Sequence, residues 1–370
     1  VPAPKPMNSE SLSEDRQIAE VYRHLDRPLI ITDRTLNETL PFGWRSVSVD
    51  ELASFGSPDG FSGTKANDIA LLQFSSGSTG SPRGVVLTQE NIIANLQAVT
   101  KHLAVTPNDR TLSWMPLHHD MGLCLHLASI YCGLHQMLMT PREFAKSPGL
   151  WLEKLHDFEA TISASPNFGL AHCTRRLAGK SGLDLDLSSV RCILNGAEPI
   201  LPACTRSFME MLKPAGLKAD AIHPCYGLAE ATTAVTIARP GEGLRTREFD
   251  RNSLADPSDA VELTAKNGSS GELVDVGEAI PGMQIRICKG DGTRAETGLI
   301  GEIEIRGPNV TSGYWNDVVS SSQVHRRGGW IRTGDLGITR AGRLYIAGRK
   351  KNAIFVNGRN FLAEDLEASV

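Results

Sequence analysis

The 370-residue sequence predicts an α/β fold built on a layered, largely parallel sheet, with a smaller antiparallel β part behind it. From Asp68 to about Thr236, apolar runs of strand length alternate with helical patterns, as they do in βαβ units. From Gly277 onward, residues 284–288 and 302–306 alternate strictly between polar and apolar side chains, which is typical of half-buried antiparallel strands. The length is sufficient for about two or three domains and a large core.

Apolar periodicity places the individual elements in order along the chain. Helices are predicted over residues 16–25, from about Thr88 through Leu103, and over residues 151–158, 169–177 and 203–212. Strands are predicted over residues 28–32, 69–74, 85–87, 160–164, 190–194, 218–222, 284–288, 302–306, 342–346 and 353–356. Residues 36–67 are mixed and polar, as a connector is, and residues 237–271 lack any period and are expected to be an insertion.

Composition excludes several classes of protein. The 38 Lys and Arg residues nearly balance the 42 Asp and Glu residues, so the basic stripe that nucleic-acid binding requires is missing. The seven cysteines are scattered and form no C-x-x-C pair, which indicates free thiols in a reducing compartment and no zinc site. The N-terminus is unlike a signal peptide, and the longest apolar stretch, residues 123–134, is too short to cross a membrane. We therefore expect a cytoplasmic protein with no nucleic-acid partner and no membrane span.

Residues 75–84, between two short apolar runs, contain no side chain suited to a core. They combine glycines, hydroxyl groups and backbone N–H groups, with the guanidinium of Arg83 at the far end. This composition suits an anion, because glycines let the backbone approach a phosphate closely and the arginine neutralises charge. The segment predicts a nucleoside triphosphate site; a simple Ser/Gly hairpin turn is the alternative. Neither a Walker A string nor a G-x-G-x-x-G string occurs, so a P-loop ATPase and an obvious dinucleotide-binding protein are excluded.

Three further motifs carry compatible chemistry. Residues 226–230, Tyr-Gly-Leu-Ala-Glu, offer an aromatic face for a purine and a carboxylate for Mg²⁺. Residues 195–199, Asn-Gly-Ala-Glu-Pro, form a glycine turn against which a flat base could lie. Asp335 stands in a turn where its carboxylate could accept both ribose hydroxyls, and Arg349 follows later. Each motif also has an ordinary structural interpretation, with Glu230 and Asp335 as solvated loop acids and Tyr226 as a core aromatic.

The order and spacing of these motifs resemble the adenylate-forming superfamily of acyl-CoA ligases, luciferases and nonribosomal-peptide adenylation domains, from about residue 68 to 367. Residues 115–123, 163–168 and 194–199 are closer to the fatty acyl-AMP ligases, including those embedded in polyketide and peptide assembly lines. The resemblance implies the large N-terminal domain of that fold, with layered α/β subdomains and a small barrel-like antiparallel subdomain.

The resemblance also implies roles for individual residues. The phosphates of ATP would lie on Ser75, Ser76, Gly77, Ser78, Thr79, Gly80 and Arg83, with Thr79 and Glu230 at Mg²⁺. Adenine would lie between Tyr226 with Gly227 on one side and Gly196, Ala197 and Glu198 on the other, and the ribose would lie on Asp335 and Arg349. The implied catalytic set is Thr79, Arg83, His119 and Glu230, with His119 where the carboxylate enters; an ordinary buried histidine is the alternative. The acyl pocket is expected near Met121, Phe168 and Thr232.

The implied reaction is the attack of a carboxylate on the α-phosphorus of ATP, with Mg²⁺ as cofactor and pyrophosphate as the leaving group. The acyl group, most simply a fatty acyl group, would then pass to the phosphopantetheine thiol of an acyl or peptidyl carrier protein. An acyl-CoA ligase that uses free CoA and an inactive binding module are the alternatives. An amidase-type serine hydrolase is excluded, because its Gly-Gly-Ser-Ser-Gly-like string is missing.

The sequence also departs from the family. Arg83 stands where lysine is usual; it keeps the charge and adds a planar fork. The resemblance implies a longer N-terminal segment and a C-terminal domain after a hinge at Lys351, and the lysine that assists adenylation belongs to that domain. The predicted parts are therefore a partial N-terminal subdomain with connector (1–67), an α/β core (68–276), an antiparallel subdomain (277–347), and the hinge with the start of another domain (348–370). A fragment of this kind is expected to bind ATP or an acyl adenylate better than it forms one.

Overall fold

The computed structural model describes residues 11–41, 43–54, 63–75, 82–179, 184–250, 270–350, 353–356 and 359–362. Within these ranges, a mixed sheet of thirteen strands forms the frame of the molecule. Its strands are parallel at one end and antiparallel at the other. The predicted α/β class, with a parallel core and an antiparallel part, is confirmed.

The elements have the following bounds. The helices are α1 (Ser11–His24), α2 (Arg34–Thr39), α3 (Val49–Ser54), α4 (Gln89–His102), α5 (Asp120–Tyr131), α6 (Pro141–Lys146), α7 (Gly149–Asp157), α8 (Asn167–Leu177), α9 (Pro202–Leu212) and α10 (Val318–Val324). The first strands are β1 (Ile30–Thr32), β2 (Ser46–Ser48), β3 (Ile69–Ser75), β4 (Arg83–Thr88), β5 (Arg110–Ser113), β6 (His135–Leu138), β7 (Ile162–Ala164), β8 (Cys192–Asn195), β9 (Ile222–Gly227) and β10 (Ala234–Ile237). The others are β11 (Thr246–Asp250), β12 (Ser270–Ala279), β13 (Gln284–Cys288), β14 (Gly301–Arg306), β15 (His325–Arg326), β16 (Trp330–Arg340), β17 (Arg343–Arg349), β18 (Ala353–Val356) and β19 (Arg359–Leu362).

The strand order of the large sheet is β13-β14-β16-β17-β12-β10-β9-β8-β7-β5-β6, with β11 beside β12 and β15 beside β16. Strand β9 lies at the junction of the two parts, since it is parallel to β8 and antiparallel to β10. Such a change of direction at the carboxyl end of a parallel strand is a common place for a ligand to bind. Strand β12 spans the predicted boundary between residues 276 and 277, and the division into four parts remains a prediction.

Local sequence accounts for most of these elements. In β13 and β14, Ile287, Ile303 and Ile305 are buried in the main core, while the charged residues between them lie on the opposite face. Thr88 forms the N-cap of α4, and its hydroxyl accepts a hydrogen bond from the Asn91 backbone N–H in a capping box. The helix predicted from about Thr88 is therefore confirmed, and so are the two short strands predicted on either side of the glycine-rich segment, which pair antiparallel as β3 and β4.

Three predictions need correction. The strand predicted over residues 218–222 is wrong, because the chain turns there and β9 begins only at Ile222. Strand β9 contains the polar His223 and a proline at position 224, so its sequence does not have the apolar pattern of a buried strand. The predicted insertion at 237–271 contains an ordered strand, β11, which pairs antiparallel with β12; residues 251–269 lie outside the described ranges. The connector at 36–67 likewise includes α2, β2 and α3.

Candidate active site

Asp335 on β16 is the centre of the site. It is only 4% exposed, and both of its carboxylate oxygens are engaged. Tyr226, near the end of β9, donates its hydroxyl to Asp335 Oδ2 at 2.6 Å, and Arg349 on β17 donates from Nε to Oδ1 at 2.8 Å. Asp335 and Arg349 face each other directly in the antiparallel register. Each carboxylate oxygen has a second lone pair, so the pinned carboxylate can still accept ligand hydroxyls.

The partners of Asp335 keep their protons. Burial, followed by the charge of Asp335, raises the pKa of Tyr226 well above its ordinary value, so its hydroxyl remains a donor. The charge of Asp335 also raises the pKa of Arg349. Charge-assisted hydrogen bonds therefore join the three side chains and fix their relative positions. The structure thus brings together three residues for which the sequence predicted sugar or base contacts, and the stacking of Tyr226 on adenine remains a prediction.

Backbone packs closely beside this group. A Cβ at Gly196 would lie 2.7 Å from the carbonyl oxygen of Cys225, and one at Gly227 would lie 1.7 Å from that of Thr233, so neither position has room for a side chain. Ala197 has a φ of 70°, which is unusual for a residue with a Cβ. Glu198 accepts a hydrogen bond from the Phe168 backbone N–H, and burial raises the pKa of Glu198. Residues 196–198 follow directly after β8, which pairs with β9, and the sequence predicted a glycine turn at this place.

The predicted phosphate end of the site begins at the hairpin of β3 and β4, where Ser75 pairs with Arg83. The loop residues Ser76, Gly77, Ser78, Thr79 and Gly80 lie outside the described ranges. The guanidinium carbon of Arg83 lies 5.5 Å from the centre of the Tyr314 ring. The Tyr314 hydroxyl in turn donates to Glu230 Oε1 at 2.7 Å. Sequence reasoning missed Tyr314; its signal was an aromatic residue in a polar, glycine-containing segment.

A series of neighbouring side chains connects the two ends of the site, and we call the surface that they form the cleft. Arg83, Tyr314 and Glu230 form a continuous set of contacts, and the charge of Glu230 acts on Arg349, which holds Asp335. The hairpin and Asp335 are far apart in sequence, and the sequence predicted that they would meet at one ligand. Their proximity agrees with that prediction, while the roles of the individual residues remain predictions.

His119 is the N-cap of α5, and the two residues that follow it, Asp120 and Met121, line an apolar cavity. Its ring Nδ1 lies 2.8 Å from Asp120 Oδ1, which also accepts the Met121 backbone N–H at 2.6 Å. The hydrogen bond to Asp120 raises the pKa of His119, against the opposing effect of burial. An imidazolium at this position would attract a carboxylate. The ring is partly exposed, so the alternative interpretation as an ordinary buried histidine does not describe it.

An apolar cavity of about 80 Å³ runs from this cleft into the core between α4, α5 and the parallel strands. Its inner walls include Leu96, Leu103, Met121, Leu125, Leu134 and Ile162, and Ala197, Tyr226 and Gly227 line it at the cleft. Of the three predicted pocket residues, only Met121 lines this cavity. Phe168 is exposed and its ring packs on the edge of Trp114, and the Thr232 hydroxyl donates to the Asn309 carbonyl oxygen. Thr233, the next residue, lines the cavity instead.

Known proteins that are similar to this chain belong to one enzyme family. A model of the AMP-binding enzyme family matches residues 7–315. The 4-hydroxyphenylalkanoate adenylyltransferase of Mycobacterium marinum is 37% identical over 320 residues, with 81% of this chain and 51% of that protein covered. The long-chain-fatty-acid–AMP ligase FadD26 of Mycobacterium tuberculosis is also 37% identical over 320 residues, with 81% and 54% covered. A solved structure from a study of fatty acyl-adenylate ligases of E. coli and L. pneumophila has a TM-score of 0.90 and 33% identity, and it covers 98% of this chain and 67% of that chain.

The fold, together with the Asp335 carboxylate that Tyr226 contacts near the end of β9, thus defines an α/β domain of the adenylate-forming type. The chain belongs to the AMP-binding enzyme family, and the resemblance found in the motifs is confirmed. It spans about half the length of the curated relatives that it matches. None of the helices in the described ranges has the length and apolar content that a membrane crossing requires.

Proposed function

We propose that the protein activates a carboxylic acid with ATP, forms an acyl adenylate and releases pyrophosphate. One observation supports this most strongly: the apolar cavity meets the nucleotide cleft at Ala197, Tyr226 and Gly227. An acid with an apolar tail in the cavity would therefore present its carboxylate beside the predicted adenine and ribose contacts. The attacking carboxylate oxygen forms a bond to the α-phosphorus, and the bond from that phosphorus to the pyrophosphate oxygen breaks.

The lining of the cavity favours an apolar tail, although Asn95, which also lines it, has a buried Oδ1 without a hydrogen-bond partner among the described residues. Ser129 donates its hydroxyl to the Leu125 carbonyl oxygen at 2.8 Å, so the Thr111 hydroxyl donates to Ser129 at 2.7 Å. The Thr100 hydroxyl donates to the Leu96 carbonyl oxygen at 2.8 Å. These hydroxyls have partners within the protein and require none from the ligand. Each methylene buried here contributes about 0.8 kcal/mol, so an alkyl chain gains affinity with length until the cavity is full.

Electrostatic repulsion opposes this reaction, because the carboxylate and the triphosphate of ATP are both anions and must come into contact. At ~4 Å, two unit charges repel by roughly 4 kcal/mol at an effective dielectric constant near 20. Arg83 would offset this repulsion at the phosphates, and His119 would attract the incoming carboxylate. Their fixed positions would orient the two reactants, which is the larger part of what phosphoryl chemistry requires of a protein.

A magnesium ion fits the residues at the phosphate end. Glu230 uses Oε1 for Tyr314, and its second carboxylate oxygen remains for a cation, with Thr79 as the other proposed contact. Over the described ranges, no group of three His, Cys, Asp or Glu residues could hold a metal by itself. Mg²⁺ commonly binds through one or two carboxylates together with substrate phosphates, which suits a single glutamate here. When bound, the ion would supply charge neutralisation at the leaving pyrophosphate.

We further propose that the acyl group passes to the phosphopantetheine thiol of a carrier protein, as the motifs of the assembly-line ligases suggest. Hydroxamate trapping with the intact protein, ATP and a panel of carboxylic acids tests the first step. Supplying free CoA or a holo carrier protein, and detecting the thioester, tests the second. A thioester with CoA alone would make the protein an acyl-CoA ligase. ATP binding without any hydroxamate would indicate an inactive binding module.

Narrowing the cavity is expected to change the preferred acid. Ala128 on α5 lines the cavity, so Ala128→Phe should abolish trapping with long aliphatic acids while short acids continue to react. Affinity for AMP should stay within about twofold, because Ala128 belongs to α5 and is not among the predicted adenine and ribose contacts; a factor of two corresponds to roughly 0.4 kcal/mol. The matched control is Ile130→Phe on the exposed face of the same helix, which should leave the preference unchanged. Equal preferences in the two variants would mean that the tail binds elsewhere.

A further inference from the structure

Tyr314 lies between two side chains of opposite charge at the phosphate end. Arg83 approaches its ring, with 5.5 Å from the guanidinium carbon to the ring centre, and Glu230 accepts its hydroxyl at 2.7 Å. In the part of the chain that is described, Arg83 and Glu230 form no ion pair with each other. They are linked only through the tyrosine that both of them contact.

The position of Tyr314 is set by its backbone and by its packing. The Trp315 N–H donates to the Gly84 carbonyl oxygen at 2.7 Å, and the Val86 N–H donates to the Gly313 carbonyl oxygen at 3.0 Å. These bonds fasten residues 313–315 to β4, the strand that begins with Arg83. The Tyr314 ring is 8% exposed and packs with Val85, Leu87 and Ala229. It is therefore held at a fixed place relative to both charges.

The chemistry of the phosphate end requires this separation. Opposite charges in contact attract strongly in a partly buried site, so Arg83 and Glu230 could form a direct ion pair. Such a pair would neutralise the positive charge that phosphate binding requires. It would also occupy the carboxylate that is proposed to bind a cation. The tyrosine instead offers its ring face to the guanidinium and its hydroxyl to the carboxylate. Burial, and then the charge of Glu230, raises the pKa of Tyr314, so the hydroxyl stays protonated and donates.

We propose that Tyr314 is a positioning residue that keeps Arg83 and Glu230 apart, so that Arg83 remains available to the triphosphate and Glu230 to Mg²⁺. This inference rests on the proposed function, because it assumes that Mg²⁺ and ATP are the ligands. It adds a residue that the predicted site did not contain. Hydrogen bonds of this kind to metal-binding carboxylates typically change metal affinity by about 10–100-fold.

Calorimetric titration of the intact protein with ATP tests the proposal, once with Mg²⁺ and once with a chelator, with AMP titrated in parallel. Tyr314→Phe keeps the ring and removes the hydroxyl. It should reduce the gain in ATP affinity that Mg²⁺ produces by about tenfold and leave the AMP affinity unchanged. The matched control is Tyr345→Phe, which removes a buried tyrosine hydroxyl that accepts from Arg247, away from the cleft. This control should change none of the three affinities.

A second pair of variants tests the separation of charges itself. Tyr314→Ala removes the spacer and should weaken ATP binding even without Mg²⁺, because Arg83 can then pair with Glu230. Adding Glu230→Gln to that variant should restore the affinity for ATP without Mg²⁺, since the competing charge is gone. Unchanged Mg²⁺ dependence in Tyr314→Phe, or no recovery in the double variant, would overturn the proposal. If the parent protein binds neither ATP nor AMP, the proposed function fails instead, and the two failures are thereby distinguished.

Discussion

Asp335→Ala is expected to lower the affinity for AMP at least about a hundredfold, because hydrogen bonds to a charged group contribute roughly 1.5–3 kcal/mol each and two ribose hydroxyls would lose their acceptor. The substitution also leaves the Tyr226 hydroxyl and Arg349 without the carboxylate that orients them. Isothermal titration with AMP measures the loss. AMP is the appropriate ligand because its binding does not depend on the β- and γ-phosphate contacts.

A matched substitution separates this effect from the loss of an aspartate in general. Asp291 is an exposed aspartate in the turn that follows β13, where it accepts hydrogen bonds from Thr293. Asp291→Ala should bind AMP as the parent protein does. Thermal unfolding of both variants checks that they remain folded. An Asp335→Ala protein that is folded and binds AMP with the parent affinity would remove the ribose site from this cleft.

The second large effect is a loss of stability, which we expect when Arg343 on β17 is replaced. This side chain donates to the buried carboxylate of Asp275 and forms two hydrogen bonds with Glu242, at 2.9 and 2.6 Å. Arg343→Met would leave the buried Asp275 charge without its cationic partner, although the Gly277 backbone N–H still donates to it. Breaking such a pair typically costs about 3–5 kcal/mol. The free energy of unfolding from a denaturant titration should fall by that amount.

An exposed arginine provides the comparison. Arg206 pairs with Glu272 at the surface, with about half of the arginine side chain exposed. Because exposed pairs contribute about 0–1 kcal/mol, Arg206→Met should have little effect on the same unfolding curve. Equal losses in the two variants would show that burial does not govern the ion pairs of this domain.

The sequence identified those parts of the site whose chemistry is local. Asp335 was recognisable as a candidate acid, but the turn predicted for it is wrong, because it lies inside β16. Arg349 lies opposite it because a short antiparallel connection determines the register. Tyr226 was recognisable because its aromatic ring and the carboxylate of Glu230 belong to one short motif. In each case, neighbouring residues carry both the structure and the chemical signal.

Contacts between distant segments were not predictable in this way. Tyr314 reaches Glu230 only because residues 313–315 pair with β4, which lies far earlier in the chain. Strand β9 was placed too early because it contains the polar His223, which is buried there with its ring nitrogens 3.1 and 3.2 Å from two backbone carbonyl oxygens, either of which can accept the ring N–H. Phe168 was assigned to the acyl pocket by its motif, but its ring turns outward against Trp114. Tertiary packing decided each of these outcomes.

The most direct measurement is a crystal structure of the intact protein with Mg²⁺ and an ATP analogue that cannot react at the α-phosphorus. The ribose hydroxyls should lie within hydrogen-bonding distance of the Asp335 carboxylate, with the terminal phosphates beside Arg83 and Glu230. A nucleotide bound outside this cleft, or one whose phosphates point away from the hairpin, would contradict the account.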